Sequence, residues 1–156
     1  MAKLRAHRDQ TITSRIMSAV KGKGSKAERA LARSMWNLGL RYRKHPKNVS
    51  GKPDFVYSKF QVAVFCDGDF WHGKGWKQRG FKSWEEQFEG LHNADFWRDK
   101  IAKNMARDER INKELQRASW IVLRFLESEI LRDPDKYAAV IKDVVKKRKA
   151  SSDAKT

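Results

Sequence analysis

Apolar and polar positions change register several times along this chain, and each register predicts an element. After Ser25, the residues Ala27, Ala30, Leu31, Ser34, Met35 and Leu38 recur at steps of three and four, which predicts a helix to about residue 38. Ser25-Lys-Ala-Glu28 reads as a capping box at its start, and Gly39 as the residue that ends it. A loop holding His45, Pro46 and Gly51 follows. Residues 53–57 and 60–66 then read as two strands joined as a hairpin across Ser58-Lys59, the second almost wholly apolar, as a strand covered on both faces would be. From 67 to 93, five glycines stand among Trp71, Trp76, Phe81, Trp84 and Phe88 with no sustained period, a long irregular segment of the kind that usually carries function or is disordered. Trp97, Ile101, Met105, Ile111 and Leu115 predict a long helix over 94–118 with charged outer faces. Residues 120–125 form a third strand, and 137–145 a closing helix after Pro134. A helix between a hairpin and a last strand implies an α/β domain with a mixed sheet flanked by helices.

Composition narrows the class. The chain has 156 residues, 35 Lys plus Arg against 19 Asp plus Glu, and a formal charge of +16, with 40% hydrophobic residues. That is enough apolar chain for a folded core, which excludes wholesale disorder. Its one cysteine, Cys66, rules out an internal disulfide and a Cys-rich zinc site, and the four histidines are too scattered to replace thiolates. No apolar run approaches a bilayer's thickness, and residues 1–10 lack the apolar stretch of a signal peptide, so a cytoplasmic protein with no membrane role is expected.

The charge is concentrated at the ends. Residues 1–27 carry seven basic side chains, among them Arg15, Lys21 and Lys23, against one acid; residues 142–156 carry six against two. Basic arms suit a polyanion, because each neutralised phosphate releases counterions. The C-terminal run Lys146-Lys147-Arg148-Lys149 reads equally well as a solubilising tail.

Asp54 follows Pro53 at a strand entrance, and the next strand runs into Cys66-Asp67-Gly68-Asp69. Neighbouring strands would bring these acids to one sheet edge, where hard oxygens suit Mg²⁺. The same residues also read as Pro-Asp and Asp-Gly turns. His72, five residues after Asp67, is of the type that moves protons near neutral pH, although a lone histidine in an aromatic loop is often only a polar surface group. Glu28 already has a role in the capping box.

Three segments in this order closely resemble one family: Gly51-Lys-Pro-Asp-Phe-Val56, Val64-Phe-Cys-Asp-Gly-Asp-Phe-Trp-His72, and Asp95-Phe-Trp-Arg-Asp-Lys-Ile-Ala-Lys-Asn-Met-Ala-Arg-Asp108. They are similar to the very-short-patch repair (Vsr) mismatch endonucleases, over about residues 14–131. The resemblance implies a restriction-endonuclease-like fold of the PD-(D/E)xK superfamily that nicks one DNA strand beside a T:G mismatch with Mg²⁺. It implies that Asp54 holds metal, that Cys66 offers its backbone carbonyl as a metal ligand, that His72 is the general base, and that Glu28 orients it or a metal-bound water. It makes Phe70, Trp71 and Trp97 aromatics that wedge into the base stack; Arg15, Lys21 and Lys23 are expected on the DNA backbone from the charge of their arm. Unstacking is cheapest at a mispaired step, so such a wedge would select for one.

The chain departs from that pattern in two places. Phe65 stands where the superfamily carries an acid, and Asp67 where it carries lysine and where the Vsr branch has histidine, which makes Asp67 a candidate metal ligand and catalytic residue. The family's structural zinc ligands correspond here to Asp69, Lys74, Trp76 and Ser128, so zinc is expected to be absent and Trp76, Phe81, Trp84 and Phe88 are expected to form a substitute core. The organisation expected is a basic arm over 1–24, an endonuclease domain over 25–145 and a flexible basic tail over 146–156, in a monomer of the bacterial cytosol and nucleoid, with mismatched duplex DNA as partner and mismatch-repair proteins as further candidates. Three rivals stand beside this reading. They are a restriction or mobile-element nuclease on the same scaffold without mismatch specificity, a catalytically silent DNA-binding module, and a basic RNA-binding protein, the last giving the acids no role.

Overall fold

The computed structural model describes residues 24–77 and 79–154. The expected contacts of Arg15, Lys21 and Lys23 lie outside these residues. Helix α1 spans Lys26–Asn37, with Ser25 as its N-cap: the Ser25 hydroxyl accepts from the Glu28 amide. Glu28 does not return the bond to Ser25 but reaches one residue further back, to the amide of Gly24, at 3.1 Å. Gly39, at a φ of +81°, ends the helix as expected.

The sheet has four strands in spatial order β1 (Arg43–Lys44), β2 (Phe55–Tyr57), β3 (Val62–Asp67) and β4 (Ile121–Leu126). The first three are antiparallel neighbours and β4 runs parallel to β3, so the sheet is mixed. The hairpin loop is longer than the two residues expected. Tyr57 pairs with Val62, and the amides of Phe60 and Gln61 close turns onto Tyr57 and Ser58, with Gln61 at a positive φ. The two-residue strand β1 lies in the segment read as loop.

Side chains alternate across the sheet. Phe55, Tyr57, Val62, Val64, Leu123 and Phe125 face α1 and the C-terminal helices, whereas Val56, Ala63, Phe65 and Val122 face the opposite side with Leu115 and Ile111. Those last two belong to α2 (Ala94–Arg117), the crossover helix that lets β3 and β4 run parallel. A 3₁₀ turn over Glu86–Phe88 breaks the segment read as irregular, and α3 over Glu127–Arg132, in a stretch given no element from sequence, directly follows β4.

The closing helix α4 spans Pro134–Ala154, three residues earlier and nine later than expected. Proline fits the first helical turn because its missing N–H would have been unpaired there. The stretch from 146, expected as a flexible tail, is thus the end of a helix. Arg148 fastens it, donating to the carbonyls of Phe60 and Ser119.

Candidate functional site

The C-terminal end of β3 gathers the acids. Asp54 precedes β2 and faces β3: its Oδ2 accepts from the Cys66 amide at 2.7 Å, while its own amide donates to Val64. Across from it stands Glu28, almost fully buried on α1. His45, one residue past β1 at a φ of +46°, bridges the two. Its Nε2 lies 2.6 Å from Glu28 Oε1, close but without hydrogen-bond alignment, and its Nδ1 lies 3.9 Å from Asp54 Oδ1. Glu28, His45 and Asp54 bring their donor atoms within 4.8 Å of one another.

A second triad meets on the α2 side. His72 ends a tight turn in which its amide donates to Gly68. Asn104 of α2 ties that turn down by donating to the Trp71 carbonyl. Nδ1 of His72 makes a very short hydrogen bond to Asp108 Oδ2 and lies 3.7 Å from Asp67 Oδ1. An Nδ1–H that donates to a carboxylate leaves the lone pair on Nε2, and no described residue hydrogen-bonds that atom. Asp67, expected as an added metal ligand, has both oxygens near Arg124 Nη1, at 3.1 and 3.3 Å. Asp54, Cys66, Asp67, His72, Asp108 and Arg124 line one cavity of about 450 Å³. Asp54 and His72 thus share a rim, in two adjoining triads.

Electrostatics distinguish the two acids. Burial pushes the Asp54 carboxyl up to about 6; the Cys66 amide opposes this and Glu28 and Asp67 add to it. Burial also lifts Asp108, but the hydrogen bond and charge of His72, with Arg124 and Arg107, more than offset it and hold that carboxyl below its usual range. Hard oxygens packed this closely fit a divalent cation such as Mg²⁺, since each carboxylate raises the cost of ionising its neighbour until a cation arrives.

The chain matches the family model described as DNA mismatch endonuclease Vsr over residues 7–78. It is 41% identical over 140 residues to the Type II nicking enzyme V.NmeDIP of Neisseria meningitidis serogroup C, covering 90% of each chain. With V.HpaIIP, a Type II nicking enzyme of Haemophilus parainfluenzae, it shares 38% over 128 residues, 82% of this chain and 86% of the relative. The DNA mismatch endonuclease Vsr of Escherichia coli K12 is 32% identical over 115 residues, 74% of this chain and 69% of the other.

The chain belongs to the Vsr family. It is therefore a DNA endonuclease, and its mixed sheet flanked by helices is consistent with the restriction-endonuclease-like fold expected.

Within this Vsr-family fold, Phe70, Trp71 and Trp97 do come together, with ring centroids 5.4–6.0 Å apart. Trp97 is the floor of that cluster, only 8% exposed, and the ring that stands out beside it is Phe96, 58% exposed. The four positions matching the family's zinc ligands do not fit zinc. Asp69 is the one anionic donor among them, and both its oxygens already accept from Ser128. Of the expected substitute core, Trp84 and Phe88 pack into the cluster, but Trp76 and Phe81 stand apart from it. Arg79 organises the loop there: it donates to Gln87 and to the carbonyls of Gly75 and Lys74, with its guanidinium 5.7 Å from the Phe81 ring.

The residues missed from sequence had unequal signals. Asp108 occupies the step between Ile101 and Leu115 on the buried stripe of α2, where a charge is out of place. Arg124 likewise interrupts an apolar strand. His45 carried no local signal.

Proposed function

We propose that this protein nicks one strand of duplex DNA beside a T:G mismatch, with Mg²⁺ held by Asp54 and the backbone carbonyl of Cys66. One observation carries the reading: a histidine oriented by a buried carboxylate lines the same cavity as a half-buried aspartate whose carboxyl is pushed up by its surroundings. A Mg²⁺ ion bound there would supply Lewis-acid stabilisation of charge developing on the phosphate. His72 Nε2 takes the proton of the attacking water, and Asp108 holds the ring in the required tautomer and stabilises the imidazolium that forms. Glu28 stands with His45 on the Asp54 side of the cavity and not beside His72, so its charge acts on Asp54 or on water bound there, while the Cys66 amide fixes where Asp54 points. Asp67, tied to Arg124, sits behind His72 and contributes less to holding the ion than Asp54.

Phe70, Trp71 and the exposed Phe96 form the stacking surface, and the arm with Arg15, Lys21 and Lys23 adds phosphate contacts. Support for nicking and for mismatches comes from relatives named as nicking enzymes and as a DNA mismatch endonuclease. The test is incubation with T:G, other mismatched and fully paired duplexes, each in Mg²⁺ and in EDTA, with products mapped to the nucleotide. A single-strand nick confined to T:G duplexes in Mg²⁺ is expected. Equal cutting of paired duplexes would leave a nuclease without mismatch specificity.

A further inference from the structure

Arg124 stands on β4 opposite Phe65 of β3, and both point to the α2 side of the sheet. Its guanidinium carbon lies 3.9 Å from the centre of the Phe65 ring. Nε donates to Asn112 Oδ1 at 2.6 Å, Nη1 donates to Asp67, and Asp108 Oδ1 is 3.7 Å from Nη1. The side chain is 7% exposed, yet Nη2, also buried, has no hydrogen-bond partner among the described residues. Neutralising Asp67 does not require that second terminal nitrogen. A buried charged donor left unmet is costly, and such an atom beside a functional cavity is best explained by an acceptor that arrives later.

The cavity says what the acceptor is. Among the described residues three permanent cations line it, Lys52, Arg107 and Arg124; the first two are exposed and, of the three, Arg124 is fixed in place. A guanidinium clamped by a ring, an amide and a carboxylate has lost its rotamer freedom beforehand and presents its remaining N–H groups at a set angle, which suits the oxygens of a phosphodiester. We propose that Arg124 binds the DNA phosphate in this cavity, its Nη2 donating to a non-bridging oxygen of the phosphodiester. The proposal rests on the endonuclease reading above. It adds the strand β4 to the groups that touch substrate, and it places a cation on β4 beside the ring that occupies the superfamily's acid position on β3.

The experiment is a coupling measurement. Fluorescence anisotropy, with Ca²⁺ replacing Mg²⁺ to hold back cleavage, compares duplexes carrying a natural phosphate or an uncharged methylphosphonate at the nicked position. Wild-type protein should lose about tenfold in affinity on removal of that charge, and Arg124→Met less than about twofold. Equal losses in both proteins would overturn the proposal and make Arg124 a purely structural residue. If Arg124→Met fails to give a cooperative thermal melt, Arg124→Lys is read instead: it keeps the charge but not the second N–H, and its methylphosphonate loss should again fall below the wild-type value, an undiminished loss counting against the proposal. A wild-type protein that neither nicks in Mg²⁺ nor senses the methylphosphonate would instead sink the endonuclease reading itself.

Discussion

Asp54 is held in a state that the fold alone disfavours, and replacing it should therefore stabilise the metal-free protein. Burial, with Glu28 and Asp67 nearby, raises its carboxyl from an ordinary 3.8 to about 6. The sign follows from proton linkage. Between those values the folded state binds the proton and the unfolded state does not, so the stability this group contributes is fully present only below about pH 3.8 and is lost progressively as pH rises to about 6. A gap of roughly two pH units, at about 1.4 kcal/mol per unit, gives about 3 kcal/mol. The side chain is 24% exposed, and partial solvation reduces this to about 2 kcal/mol. Asp54→Asn keeps an oxygen to accept from the Cys66 amide and removes the charge. Urea unfolding in EDTA should show the variant more stable than wild type by about 2 kcal/mol at pH 7.5 and by about 1 kcal/mol at pH 5, and Mg²⁺ should narrow the difference at pH 7.5 by stabilising wild type alone. A variant less stable than wild type at pH 7.5, or a difference that does not change with pH, would refute the claim that this acid is strained for want of a cation.

Three further outcomes follow from the same geometry. Asp108→Asn should slow single-turnover nicking by ~10²-fold or more while leaving DNA affinity within about threefold, because the amide no longer favours the tautomer that leaves His72 Nε2 free; an unchanged rate would remove Asp108 from the mechanism. Phe96→Ala should shift urea stability by less than about 0.5 kcal/mol, since the ring is exposed, but weaken binding of a mismatched duplex about tenfold and reduce the fluorescence of a 2-aminopurine placed beside the mismatch. Gly73→Ala should cost about 2 kcal/mol or more in urea unfolding, because the residue has a φ of +65° and its Cβ would lie 2.2 Å from Met105 Sδ and 3.2 Å from Ile101.

Much of the fold was legible because burial leaves a period. The apolar run of β3, the helix stripes of α1 and α2 and the capping serine each declared themselves locally, and Pro53-Asp54 and Asp67 marked the strand ends where acids meet. Contacts between distant segments left no such trace. His45 reaches Glu28 from a loop, Arg124 reaches Asp67 across 57 positions, and Asp108 meets His72 across 36. A charged residue on an apolar stripe is the local clue to Asp108 and Arg124, but the stripe reads as a helix or strand with or without it, and the clue does not name the partner that the charge meets. The last helix ran past its expected end because Arg148 anchors to the ends of other elements, a tertiary effect invisible to a basic, serine-containing run.

The central claim is that Asp54 and His72 serve one chemical step in one cavity. The most direct measurement is the single-turnover nicking rate in Mg²⁺ of Asp54→Asn, His72→Gln and the double variant, beside the DNA affinity of each. Each single change should bring the rate near background with affinity within about threefold, and the double variant should be no slower than the slower single one, as for residues that act as a unit. Rates that fall only modestly and multiply in the double variant, or an Asp54→Asn protein that nicks at the wild-type rate, would contradict the account.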